Sequence, residues 1–137
     1  MFFIFDRFFK SLVLGGFRAK FVDLHFNQGM AFGLNLFNPK ILTLIVGTIL
    51  LLVIWGLIKL YQTPENQTKW GYIAGLTSIF FGALANLIDR WLYHQVVDYI
   101  NLDVWPVFNL ADAMIVVGAV IIVLVDFIQN KRRLIRR

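Results

Sequence analysis

Asp98 and Asp112 are the residues of this sequence best suited to chemistry. Each is a carboxylate beside an apolar stretch: Asp98 follows two valines, and Asp112 opens the long run LADAMIVVGAVIIVLV. Two aspartates sharing one site cannot both ionise easily, so one keeps a proton while the other takes one from water. General acid and general base are then present together, which is what peptide hydrolysis needs when no metal or covalent nucleophile takes part. Asn109 stands three residues before Asp112, and Asn86 ends another apolar run. Either amide could orient a carboxylate or a substrate carbonyl. Spacing alone leaves open whether the two aspartates meet.

Other ionisable residues lie in apolar surroundings, where they are costly and mark functional positions. Asp6 and Lys10 are four apart, so they share a helix face and can pair. That pair fits a site, and fits equally a neutralising role in a short helix entering a membrane. Asn27 and Gly29 open the segment NQGMAFG. Asn86, Asp89 and Arg90 fall on one helical face, with Asp89 and Arg90 reading as a structural link from a helix end to the next loop. Asp103 and Asp126 read as interfacial and solvated. His25 and His94 have no second ligand at helical spacing, so no metal or other cofactor is expected.

The elements that must position these residues are membrane helices. About 20 apolar residues at 1.5 Å each cross the roughly 30 Å hydrocarbon core. Ile41 to Leu60, Trp70 to Tyr93 and Leu110 to Ile128 meet that length, and YQTPENQTK (61–69) reads as a short loop. Phe2 to Phe17 is hydrophobic but short and contains Asp6, Arg7 and Lys10. Charges inside the apolar run and the lack of a small-residue cleavage site exclude a secretory signal peptide. It reads as a shortened first helix. The expected fold is an all-α polytopic membrane protein of four helices, as one domain over residues 1–137.

Composition agrees. Hydrophobic residues make up 59% and charged residues 15% of the chain, against roughly half and a quarter in soluble domains. The net charge of +5 has a local source, because Lys131, Arg132, Arg133, Arg136 and Arg137 crowd the last seven positions. A basic cluster after an apolar span is a cytoplasmic flank held against anionic lipid, so nucleic acid is not an expected partner. Both chain ends are then cytoplasmic, with 18–39 and 94–108 outside; Arg18 and Lys20 run against this rule. The chain has no cysteine, which removes disulfides, thiolate metal sites and cysteine nucleophiles.

Four segments, in this order, carry a resemblance to a known family. NQGMAFG (27–33) is similar to N-x-G-x-A-F-G, GALANLIDR (82–90) to G-A-L-G-N-L-I-D-R, VVDY (96–99) to V-V-D-F, and FNLAD (108–112) to F-N-x-A-D. Together they resemble the bacterial lipoprotein signal peptidases, signal peptidase II, over residues 6 to 128. The resemblance implies an aspartic endopeptidase of the bacterial inner membrane that cuts lipid-modified prolipoproteins before the diacylglyceryl cysteine. It implies Asp98 and Asp112 as the catalytic pair. It places Asn27, Gly29, Asn86, Arg90 and Asn109 at positions that shape the site and hold substrate or the inhibitor globomycin, and matches Asp6 and Lys10 to the D-Q-x-x-K motif. It further implies a small external β-cradle from residues 21–37, where Phe21, Leu24 and Phe26 suit a membrane surface. Membrane lipids and a monomeric state go with this reading.

The sequence departs from the family in five respects. Only Met1 to Phe5 precede Asp6, and Arg7 replaces the motif glutamine. The links from Lys10 to Asn27 and from Asp98 to Asp112 are short, and Ala85 replaces a glycine where close helix contact is expected. A catalytically weak relative that binds lipidated peptides is the alternative reading. An unrelated small transporter would explain the spans but not the four ordered segments.

Overall fold

A computed structural model describes residues 1–29, 38–65 and 68–135. Among these residues are four helices, α1 (Phe2–Leu14), α2 (Pro39–Gln62), α3 (Lys69–Tyr93) and α4 (Leu110–Ile135), and two strands, β1 (Val22–Asn27) and β2 (Val96–Ile100). Three helices, α2, α3 and α4, are long and apolar enough to cross a membrane. The 24 residues of α2 extend about 36 Å. The 13 residues of α1 extend about 20 Å, so in length α1 falls short of a span, as its sequence suggests.

The helix boundaries follow from local chemistry. Asn38 caps α2 by accepting from the Lys40 N–H at 2.9 Å, with Pro39 in the first turn, where a missing N–H costs nothing. Inside this apolar helix the Thr43 and Thr48 hydroxyls donate to carbonyls four residues back, at 2.8 and 2.9 Å. No polar group of theirs then needs water. Helix α3 ends at His94, whose φ of 60° reverses the chain toward β2.

Helices α3 and α4 approach most closely. A Cβ added at Gly82 would run into the Ala111 carbonyl and Ile115, and one at Gly118 would meet the Gly75 carbonyl and Ile79. Small residues let membrane helices pack backbone against backbone where no hydrophobic drive separates protein from lipid. The outward faces stay apolar and exposed, as at Leu44, Leu51, Trp55, Val123 and Phe127. Such faces suit lipid rather than water.

The small sheet is present as expected, but its bounds and pairing differ. The expected cradle runs from 21 to 37; β1 begins at Val22, so Phe21 precedes it, and residues 30–37 lie outside those described. Its partner β2 was not anticipated from the sequence. The two pair antiparallel, with Val22 opposite Ile100, His25 opposite Asp98 and Asn27 opposite Val96. The register shift between Val22 and His25 bends β1. Beneath this ribbon Val13, Val97 and Tyr99 form the apolar core, with Leu24 and Leu110 packed against it. The ribbon is thereby fixed to α1 and to the start of α4.

Candidate active site

Asp98 lies in the middle of β2 and Asp112 in the first turn of α4. Asn109 joins them. Its Nδ2 donates to Asp98 Oδ1 at 2.6 Å, while its Oδ1 accepts from the Asp112 N–H at 2.9 Å. The Asn109 N–H in turn donates to Asp112 Oδ2 at 3.2 Å. This reciprocal exchange closes the N-terminus of α4 as a capping box, with a carboxylate at the third position. One residue thus sets the cap of the helix and the spacing of the two carboxylates.

The second oxygen of each carboxylate meets another amide. Asn27 Nδ2 donates to Asp98 Oδ2 at 3.0 Å, diagonally across the β1–β2 ladder. Its Oδ1 is taken by the Gly29 N–H at 2.9 Å, so the NH2 must face Asp98. Asn86 Nδ2 donates to Asp112 Oδ1 at 2.7 Å, while its Oδ1 accepts from Lys10 Nζ and Asn109 Nδ2, both at 3.1 Å. Every amide is oriented by its other end.

Below the carboxylates sits a buried ionic network. Lys10 Nζ contacts Asp6 at 2.8 Å and Asp89 at 2.6 Å, and all three side chains are fully buried. Asp89 also pairs with Arg7 and accepts the Val97 N–H at 3.2 Å. Asp6 Oδ1 accepts from the Tyr99 hydroxyl at 3.2 Å and the Ala111 N–H at 3.1 Å. Asp6 and Lys10 therefore support the site from beneath and present no surface of their own. Arg90 reaches the Gly29 carbonyl at 3.3 Å and also faces the cavity. Asp89 thus contacts β2 and α1 from the end of α3, and Arg90 contacts Gly29.

A cavity of about 590 Å³ opens over the pair. Asn27, Asn86, Arg90, Asp98 and Asp112 form its polar end. Leu42, Val46 and Ile49 of α2 and Ile115 and Val116 of α4 line its apolar part. Burial, joined by the neighbouring Asp112 charge, pushes the Asp98 carboxyl up to about 7, against hydrogen bonds from Asn27 and Asn109. Two carboxylates with fixed amides and a protonated member can activate a water against an acyl carbon.

Some neighbours of the site went unread in the sequence. Tyr99 is nearly fully buried, and its hydroxyl accepts the Leu110 N–H at 3.3 Å as well as donating to Asp6. A buried tyrosine needs a partner for its hydroxyl, which was the available signal. Arg7 was visible as a charge in the first apolar run and as a departure from a motif, without its partner. Ala85 is fully buried, and close helix approaches are seen at Gly75, Gly82 and Gly118. Asp126 is exposed and accepts from the Tyr72 hydroxyl. The part of NQGMAFG from residue 30 onward lies outside the described residues.

Residues 1–128 match the family model for signal peptidase (SPase) II. The chain is 38% identical over 128 residues to the lipoprotein signal peptidase of Syntrophomonas wolfei, covering 90% of this chain and 76% of that one. It is 32% identical to the enzyme of that name from Chlorobium phaeobacteroides strain DSM 266, covering 72% of this chain but only 62% of the relative. The fold is similar to a solved bacterial membrane enzyme with TM-score 0.72 and 27% identity, covering 90% of this chain and 85% of that one.

Proposed function

This chain belongs to the signal peptidase II family, aspartic-type peptidases that remove signal peptides from lipoproteins, and we propose that Asp98 and Asp112 are its catalytic pair. One observation carries the assignment: Asn109 holds both carboxylates at the polar end of one cavity. Asp112 accepts hydrogen bonds from the Asn109 N–H and the Asn86 amide, which suit it to act as the base. Asp98 holds the proton. The Asp112 carboxylate takes a proton from water as the water oxygen bonds to the scissile carbonyl carbon, and Asp98 gives its proton to the carbonyl oxygen. The C–N bond of the resulting diol then breaks. The departing nitrogen takes the proton from Asp112, one diol hydroxyl returns a proton to Asp98, and both residues are restored.

The substrate is a prolipoprotein cut before its diacylglyceryl cysteine. The apolar walls from α2 and α4 suit acyl chains, while Asn27, Asn86 and Arg90 face the peptide and headgroup. An inhibitor of the globomycin type would compete for the same cavity. The protein acts as a monomer and a single domain in the bacterial inner membrane, with both ends cytoplasmic and the cavity's polar end toward the outside. The basic run from Lys131 supports that orientation. Cleavage of a lipidated prolipoprotein by Asp98→Asn and Asp112→Asn tests the pair. Each should abolish turnover while the protein stays folded, and the double variant should be scarcely worse, because the pair acts as a unit. Substantial activity in either single variant overturns the assignment.

A further inference from the structure

The buried network under the site balances charge through a residue that takes no part in the chemistry above. Asp6 and Asp89 share a single lysine, since Lys10 Nζ touches both. Two buried carboxylates against one ammonium leave one negative charge in excess, an arrangement that costs heavily without a further cation. Arg7 supplies it. Its guanidinium binds Asp89 Oδ1, leaving Asp89 Oδ2 to Lys10 and to the Val97 N–H. Arg7 keeps 25% of its side chain exposed while Asp89 is fully buried. The arginine thus closes the network at its edge.

Charge in this network reaches the pair by two short routes. Lys10 Nζ donates to Asn86 Oδ1, and the other end of that amide donates to Asp112. Asp89 holds the backbone of Val97, the residue before Asp98. From α1 the groups facing the pair are Asp6 and Lys10; from α3, Asp89 and Arg90. β2 contributes Tyr99, and β1 contributes His25, exposed and opposite Asp98 in the register. Electrostatic coupling between them is felt at Asp98, where Lys10 favours the charged form.

We propose that Arg7 is a positioning residue that sets the pH range of the reaction, by neutralising Asp89 and so keeping an uncompensated negative charge away from Asp98 and Asp112. Removing the cation leaves the excess charge beneath two groups that must share one proton. Both then hold protons more tightly, and the whole activity profile moves to higher pH. Adding a cation or removing Asp89 does the opposite. The inference rests on Asp98 and Asp112 being the reacting pair.

The test is the pH profile of kcat/KM for cleavage of a lipidated prolipoprotein by the full chain in detergent or lipid. Arg7→Gln should move both limbs upward by about 0.5–1 unit, and Arg7→Lys should return them toward the parent. The double variant Arg7→Gln/Asp89→Asn restores neutrality, so its limbs should return even where its maximal rate is low. Asp89→Asn alone should move them down. Tyr99→Phe deletes a hydroxyl from the same network without changing charge, so it should lower stability and leave the limbs in place. A profile unmoved by Arg7→Gln, or a double variant that stays displaced, overturns the proposal. If Arg7→Gln does not fold, the Asp89→Asn and double profiles still decide. Inactivity of Asp98→Asn and Asp112→Asn beside an unmoved Arg7→Gln profile leaves the catalytic assignment intact and sinks only this inference.

Discussion

Asn109 and Asp112 exchange two hydrogen bonds across the first turn of α4, N–H to side chain in each direction, at 2.9 and 3.2 Å. The same Asn109 amide donates to Asp98 at 2.6 Å. Replacing it with alanine removes a helix cap and the tie between the carboxylates together. Asn109→Ala should lower stability by about 1 kcal/mol and turnover on the order of 10²-fold. Thermal unfolding and cleavage rates measured on one preparation separate the two losses. A variant that loses stability but keeps full turnover would show Asn109 to be a cap alone.

The Asp98 carboxyl provides a pH test with a definite sign. Burial, and then the Asp112 charge, raise it from 3.8 to about 7. Between those values the folded protein holds a proton that the unfolded chain has released. Folding is therefore favoured at the acid end of that window and loses stability as pH rises toward 7. Activity should fall along the alkaline limb with an apparent value near 7, which belongs to the coupled pair rather than to one residue. Asp98→Asn should flatten the stability profile across this window. Unfolding followed from pH 4 to 8 for both proteins checks the sign; stability that climbs with pH would contradict it.

Gly82 marks where the helix seam supports the site. A Cβ there meets the Ala111 carbonyl, and Ala111 is the residue before Asp112. Gly82→Ala should cost about 1–3 kcal/mol as the backbones part. It should also reduce turnover, because the first turn of α4 moves with them. Gly47 has open space around it, so Gly47→Ala should be neutral or slightly stabilising. Equal melting temperatures for the two variants would remove the seam from the account.

The long helices were legible because a bilayer demands runs of about 20 apolar residues, and α2, α3 and α4 provide them. The start of α4 at Leu110 was read from its apolar run, although Asn109 and Asp112 also have the spacing of a cap and its partner. β2 was not legible. VVDYI is apolar with one carboxylate, and its strand partner lies some 70 residues earlier, as in the Asn27–Asp98 contact. The ionic network was half legible: Asp6 and Lys10 share a helix face, but Arg7 meets Asp89 across 82 residues of sequence. Local spacing carries no record of such contacts. Tyr99 was missed for the same reason, its hydroxyl meeting Asp6 from 93 residues away.

Orientation in the membrane is open to a direct test, because the chain contains no cysteine. Basic residues collect on the cytoplasmic side, and Lys131 and Arg132 end α4 while Lys59 and Lys69 flank the α2–α3 connection. Helix α3 extends about 37 Å, enough to carry the chain to the opposite face before Asp98. Val104, 92% exposed in the loop after β2, should then be outside, and Glu65, exposed after α2, inside. An impermeant thiol reagent applied to intact cells should label Val104→Cys and spare Glu65→Cys until the membrane is opened. Neither residue lines the cavity, so both variants should still cleave substrate and the labelling reads a working enzyme. Labelling of Glu65→Cys alone would invert the chain and put the carboxylate pair at the cytoplasmic face, where a lipoprotein signal peptide emerging outside could not reach it.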